Sequence, residues 1–134
     1  MPETETTTHV TQIGTVMIPV SDQDHAIDFY VEKLGFEKRA DVPFGNGERW
    51  VEVAPHGAAT TIALVLPRAD HPEDGPGIQS RVGFSSQDVD ADHAELRSRG
   101  VDVDEQVMKM GGPVPPMFFF RDQDGNNLLI VQSQ

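Results

Sequence analysis

The chain has 134 residues, one domain's worth, and at that size it can bury about two-thirds of its unfolded surface without disulfide or metal support. It has no cysteine, which excludes disulfide scaffolds, thiolate zinc sites, iron–sulfur clusters and a cysteine nucleophile. Lys and Arg number 10 against 22 acidic residues, for a formal charge of −12; such a surface repels phosphate backbones and anionic lipids, so neither nucleic acid nor a membrane is an expected partner. No apolar stretch approaches the ~18 residues of a membrane span, and the first residues lack both the positive start and the apolar run of a signal peptide. The expected location is the cytoplasm.

In chain order, residues 1–10 open with the polar run MPETETTTH and read as a flexible tail. From Thr11 a strand begins, with Val16, Ile18 and Val20 alternating against Thr15, Met17 and Pro19. Ser21-Asp22-Gln23-Asp24 supplies helix N-cap chemistry; Ala26, Ile27, Phe29, Tyr30 and Leu34 follow at helical spacing, and Gly35 stops the helix. Three strands are predicted next, Phe36–Val42, Arg49–Ala54 and Thr60–Leu66, separated by the turns Phe44–Gly47 and Pro55-His56-Gly57. The first unit, residues 11–66, is βαβββ.

Residues 67–77 (PRADHPEDGPG) read as a linker, and residues 78–132 repeat the order. Ser80–Ser85 is a predicted strand, Val89–Arg99 a helix closed by Gly100, and Val101–Val107 a strand. A Gly-Gly-Pro-Val-Pro-Pro loop then leads to the strands Met117–Arg121 and Asn127–Gln132 around the turn Asp122–Gly125. An offset of 66 takes Val16 and Ile18 to Val82 and Phe84, Val53 to Phe119, and Ile62 and Leu64 to Leu128 and Ile130. Across the helices the best offset slips to 65, taking Gly35 to Gly100; strand phase, turns and helix stops agree, so the chain reads as an internal duplication within a single domain.

The fold class is therefore α+β, with two βαβββ modules whose curved mixed sheets enclose a pocket. The apolar phase assigns Val16, Ile18, Val51, Val53, Ile62, Leu64 and their counterparts at +66 to the helix side of each sheet. The alternate residues face the pocket: Thr15, Met17, Trp50, Glu52, Thr61, Ala63 and Val65 in the first module, and Arg81, Gly83, Phe118, Asn127, Leu129 and Val131 in the second. Trp50, Glu52 and Arg81 are large or charged for a barrel filling, which favours a ligand site over packing alone.

Val20-Ser21-Asp22, Phe29-Tyr30, Leu34-Gly35-Phe36 and the run from Phe120 through Asp122, Asp124 and Gly125 to Asn126 together resemble the vicinal oxygen chelate superfamily, which includes glyoxalase I, extradiol dioxygenases and bleomycin-resistance proteins. The resemblance covers about Thr11 to Gln132 and departs at Gln123, where the turn usually carries Pro. It implies paired βαβββ modules and a homodimer. In metal-dependent members it implies ligands on the first and last strand of each module, and residue by residue these fall on Thr15, Ala63, Arg81 and Leu129. Ala63 and Leu129 have no donor atom, Thr15 has one neutral hydroxyl, and a guanidinium at Arg81 repels a cation, so no divalent metal or other cofactor is expected.

The remaining candidates favour structural roles. His9, His25, His56, His71 and His93 fall in the tail, a helix start, a turn, the linker and the exposed side of the second helix, with no ligand spacing among them. Asp88, Asp90 and Asp92 open a helix, where carboxylates offset the dipole, and lack the Gly and terminal Glu of a calcium loop. Gly111-Gly112 reads as a rim of the pocket rather than a phosphate loop. Glu52 is the one candidate general base, against a salt bridge with Arg81 as the structural alternative.

The leading expectation is a metal-independent small-molecule binder of the bleomycin-resistance type, sequestering a drug or metabolite. Met17, Trp50, Met110, Phe118 and Leu129 offer apolar area, while Glu52 and Arg81 orient polar groups. The alternatives are a glyoxalase- or dioxygenase-like lyase or oxidoreductase, a metal-free isomerase using Glu52, and a dimeric interaction module without a ligand.

Overall fold

The computed structural model describes residues 8–45, 47–68, 70, 73 and 75–133. The first module contains β1 (Thr15–Pro19), α1 (Gln23–Asp28) running into a π-helical turn (Phe29–Lys33), β2 (Glu37–Gly45), β3 (Glu48–Ala54) and β4 (Thr61–Val65). The second contains β5 (Gln79–Ser86), α2 (Val89–Ser98), β6 (Asp102–Val103), β7 (Met117–Arg121) and β8 (Asn127–Gln132). Each module forms one four-stranded mixed sheet, ordered β1-β4-β3-β2 and β5-β8-β7-β6, with the first and last strands parallel and the others antiparallel. This α+β arrangement repeats one topology twice and closes no barrel.

Local chemistry sets the helix ends. Asp22 and Asp88 cap α1 and α2, their carboxylates accepting the amides of His25 at 3.1 Å and Ala91 at 3.0 Å. Gly35 and Gly100 stop the helical segments at φ of 78° and 81°, a left-handed backbone that glycine adopts without a Cβ penalty. The predicted first helix becomes six α-helical residues and then a π-helical turn, which hydrophobic spacing cannot distinguish from continued α-helix. The strand predicted over Val101–Val107 shrinks to Asp102–Val103, with only an isolated bridge from Met108 to Met117 beyond it.

The helix-side faces of both sheets merge into one core. Ile18, Val51, Val53, Ile62 and Leu64 join Phe118, Phe120, Leu128 and Ile130 beneath Ala26, Tyr30, Val89 and Leu96. A chain of rings crosses between modules, from Tyr30 to Phe36 at 6.1 Å, Phe36 to Phe84 at 5.3 Å and Phe84 to Phe120 at 6.3 Å. Phe118 therefore corrects the sequence reading: it is fully buried on the helix side, paired with Ile130 and with His93 edge-on at 4.9 Å. Val51 pairs with Leu64 as Phe118 pairs with Ile130, so β7 follows β3 at an offset of 67 while β8 follows β4 at 66. His93 is likewise not on an open helix face, since its ring packs on Phe118 and its Nε2 lies 2.6 Å from the Asp104 carbonyl.

Polar groups lock the modules together. The Tyr30 hydroxyl donates to Asp122 at 2.8 Å, and the Asn126 amide donates to the Pro19 carbonyl and to Asp122, each at 2.9 Å. Asn126 Oδ1 accepts the amides of Gly77 at 2.8 Å and Ile78 at 3.0 Å, so a fully buried side chain has all its hydrogen bonds satisfied. Burial, and after it the Asp122 charge, pushes the Tyr30 phenol well above its usual pKa. Nearby, Asp124 accepts the Ser21 hydroxyl at 2.6 Å and the Ser21 amide at 3.0 Å; burial alone would raise its pKa, and these bonds hold it below the usual carboxylate value.

The modules thus meet through their helix-side faces. Among the described cavities, none is lined by the open faces of both sheets. Residues 1–7 of the predicted tail, Asn46 of a predicted turn, and four linker positions including His71 lie outside the described residues.

Candidate functional site

Strand pairing builds two corresponding rows on the open faces. In the first module, Met17 pairs with Ala63, Ala63 with Glu52, and Glu52 with Ala40, while Trp50 pairs with Val42. In the second, Gly83 pairs with Leu129 and Leu129 with Phe119, while Met117 pairs with Val131. Paired residues share a face, so Met17, Val42, Trp50, Met117, Phe119, Leu129 and Val131 form the apolar floor of the two open sheets. Met17 is 58% and Val42 53% exposed, which is a large outlay of apolar surface to water for a chain of this size.

Glu52 stands in the first row as its one carboxylate. Its Oε2 accepts the Trp50 indole N–H at 2.6 Å, an arrangement that fixes the indole plane against the sheet. The expected salt bridge to Arg81 does not form. Arg81 departs from the pattern altogether: Gln79 pairs with Asn127 and Gly83 with Leu129, so β5 spends four steps where β8 spends two. The extra residues form a bulge in which Arg81 adopts φ of 61°. Gln79, not Arg81, is therefore the register counterpart of Thr15, because Thr15 pairs with Thr61 as Gln79 pairs with Asn127.

This geometry sharpens the metal question. Of the four ligand positions, Ala63 and Leu129 carry no donor, Thr15 offers one exposed hydroxyl, and Gln79 Oε1 already accepts the Asn127 amide at 2.7 Å. Among the described residues, no group of three or more His, Asp or Glu side chains is placed to hold an ion. The residues present do not fit the divalent metal of the family's metal-dependent members, and no chemistry is derived through one.

The other predicted residues are dispersed. Met110 is 66% exposed in the loop between β6 and β7. His56 bonds Glu37 at 2.8 Å on the surface, and with Arg39 it holds that carboxyl below its usual pKa. Asp90 pairs with Lys109 at 3.2 Å, and Asp92 accepts the Ser86 hydroxyl. Sequence reasoning missed Val42, Met117 and Phe119 as open-face residues. Val42 was within reach of strand alternation, whereas the unbroken run Met117–Phe120 carries no period to phase it.

A profile of the Glyoxalase/Bleomycin resistance protein/Dioxygenase superfamily matches residues 12–130. The chain belongs to this superfamily. Among curated proteins it is similar to YetH of Bacillus subtilis (strain 168), 33% identical, over 92% of this chain and 99% of that one. Among solved structures it resembles TnmS3, an antibiotic binding protein from Streptomyces sp. CB03234, with a TM-score of 0.81, 38% identity and coverage of 95% of this chain and 99% of that one. A superfamily member from Sphaerobacter thermophilus DSM 20745 gives a TM-score of 0.81 at 35% identity, covering 92% of this chain and 98% of that one. The superfamily fold hosts many chemistries, so function is argued from the open faces.

Proposed function

We propose that this protein binds a small, largely apolar organic molecule on its open sheet faces, without a metal, and that an antibiotic is the ligand class most in keeping with its similarity to TnmS3. The observation that carries the reading is the Trp50–Glu52 pair: an aromatic plane held by a carboxylate beside exposed Met17 and Val42. Such a surface offers stacking and apolar contact together with one charged acceptor, the usual composition of a small-molecule site. Both open faces of one chain are uncovered, so a second copy laid across them would exclude water from ligand and protein together. The reading therefore includes a homodimer.

Trp50 is the one tryptophan, so its fluorescence reports directly on the site. Titration with polycyclic aromatic antibiotics should quench or shift its emission with a saturable curve, and the same compounds should raise the melting temperature. Light scattering should give twice the 14.7 kDa chain mass at micromolar concentration. Metal analysis of the purified protein should find no stoichiometric divalent ion. A panel that leaves both fluorescence and melting unchanged, or one tightly held metal per chain, overturns the reading.

A further inference from the structure

On the helix side, where β5 faces the N-terminal ends of β1 and β4, lies a groove of about 730 Å³, larger than the described cavities of about 380 and 220 Å³. Ile13, Val16, Ile62, Val82 and Phe84 line it from the helix side, and of the open-face rows it touches only Gly83 and Ser85 of β5, away from Trp50 and Glu52. Its walls are fixed: the Thr60 hydroxyl donates to the Ile13 carbonyl at 2.7 Å, and the Thr61 amide to the Gly14 carbonyl at 3.0 Å. Ile13 is nevertheless 73% exposed, so among the described residues this apolar wall stands largely open to water.

Arg81 is the charged residue of this groove. Among the described residues, the other nine cations all make a hydrogen bond or ion pair to the protein, and Arg81 alone makes none. A chain with 22 acidic side chains has left one guanidinium unpaired. Its backbone is also held in a region unfavourable to an L side chain, at φ of 61°. The bulge that imposes this is tied down by Ser80, whose hydroxyl donates to the Asn127 carbonyl at 2.7 Å and accepts the Val82 amide at 3.2 Å. Strain maintained by dedicated hydrogen bonds, presenting an unpaired planar cation to an apolar groove, is an arrangement suited to one kind of occupant.

We infer that this groove is a second binding site, for a small aromatic carboxylate whose ring lies against Val16, Ile62 and Val82 while Arg81 grips the carboxylate with its paired N–H donors. The volume falls in the range of small-ligand pockets, and a single guanidinium matches a single carboxylate in charge and in fork geometry. The site needs no metal and uses neither Trp50 nor Glu52, so it stands or falls separately from the proposed antibiotic site.

The test uses 2-naphthoate and its neutral analogue 2-naphthamide with the full chain, read by calorimetry and by amide chemical shifts. Arg81→Gly removes the cation and suits the left-handed backbone, so the variant folds without strain; Arg81→Lys keeps the charge and removes the fork. Naphthoate should shift the amides of Val16, Ile62 and Val82 and leave the Trp50 indole signal in place. Its affinity should fall at least tenfold in Arg81→Gly and by less in Arg81→Lys, while naphthamide binds all three proteins alike. Equal naphthoate affinity in wild type and Arg81→Gly overturns the inference. So does the absence of naphthoate binding at millimolar concentration, or shifts confined to the Trp50 and Phe119 faces.

Discussion

The two modules follow one plan and spend it differently. In the first, β2 runs nine residues along β3, and β1 pairs with β4 without interruption from Thr15 to Pro19. In the second, β6 keeps only two residues, and β5 carries a bulge before it rejoins β8 at Gly83. The central ladders, β3 with β4 and β7 with β8, place the same helix-side residues in register and are buried in both copies. Central strands answer to the shared core, so a register change there turns every side chain over; edge strands answer to solvent and are free to diverge. Of the residues singled out above, the bulged Arg81 sits on an edge strand where the copies differ, whereas Trp50 and Glu52 sit on the open side of a central strand.

The sharpest way to break this comparison is at β7. Phe118→Ala should cost about 3–5 kcal/mol and Phe119→Ala less than about 1 kcal/mol, measured by urea unfolding, because only Phe118 belongs to the core. The reverse order, with Phe119→Ala the costlier of the two, would mean that the offset between the modules is 66 throughout. Next in size is the turn after each module's third strand. Asn126→Ala should cost about 2–4 kcal/mol by stranding the Pro19 carbonyl and the Gly77 and Ile78 amides. In the matching turn of the first module, His56→Ala, at 93% side-chain exposure, should stay within about 0.5 kcal/mol of wild type.

A smaller effect of opposite sign is expected at β5. Arg81→Gly should raise stability by about 0.5–1 kcal/mol by relieving the left-handed backbone, whereas Thr15→Gly in regular β1 should lower it by about 1 kcal/mol. Thermal melts of the pair decide it, and a loss in both would show that the bulge is not strained.

Titration distinguishes a contact between the modules, Tyr30 with Asp122, from one inside the first, Asp41 with Arg49. The raised Tyr30 pKa means that its stabilisation is intact below pH ~10 and is lost as pH rises beyond that, a slope that Tyr30→Phe should flatten. Asp41 in the first module is held at about 2, chiefly by hydrogen bonds from Arg49 and then Lys38. Its contribution is present above pH ~4 and fades as pH falls toward 2, and Arg49→Met should remove that acid dependence.

Much of this architecture was legible in the residues. Alternation placed Val16, Ile18, Val51, Val53, Ile62 and Leu64 on one face, and the structure buries or packs all six beneath the helices. The superfamily, too, could be recognised from the turns and helix stops. What escaped has physical reasons. Met117–Phe120 is apolar at every position, so no period reveals a one-residue slip. A bulge at Ser80–Val82 leaves no mark on hydrophobic spacing, and it moved Arg81 off the open face that counting assigned to it. Which faces of two modules meet depends on contacts distant in sequence, such as Phe36 with Phe84 and Asn126 with Pro19, and a local pattern carries no information about them.

The helix ends hold one more consequence. Lys33 donates to the Arg99 carbonyl at 2.7 Å, and Arg99 donates back to the Lys33 carbonyl at 2.9 Å, each lying at the C-terminal end of its module's helical segment. Each cation neutralises the carbonyl end of the other module's helical segment. Residue i gripping j while j grips i is the signature of an isologous contact, here enclosed within a single chain. A polypeptide carrying only one module would present that same cation and that same helix end to its neighbour, and two such halves would meet about a twofold axis where this chain joins both ends within itself.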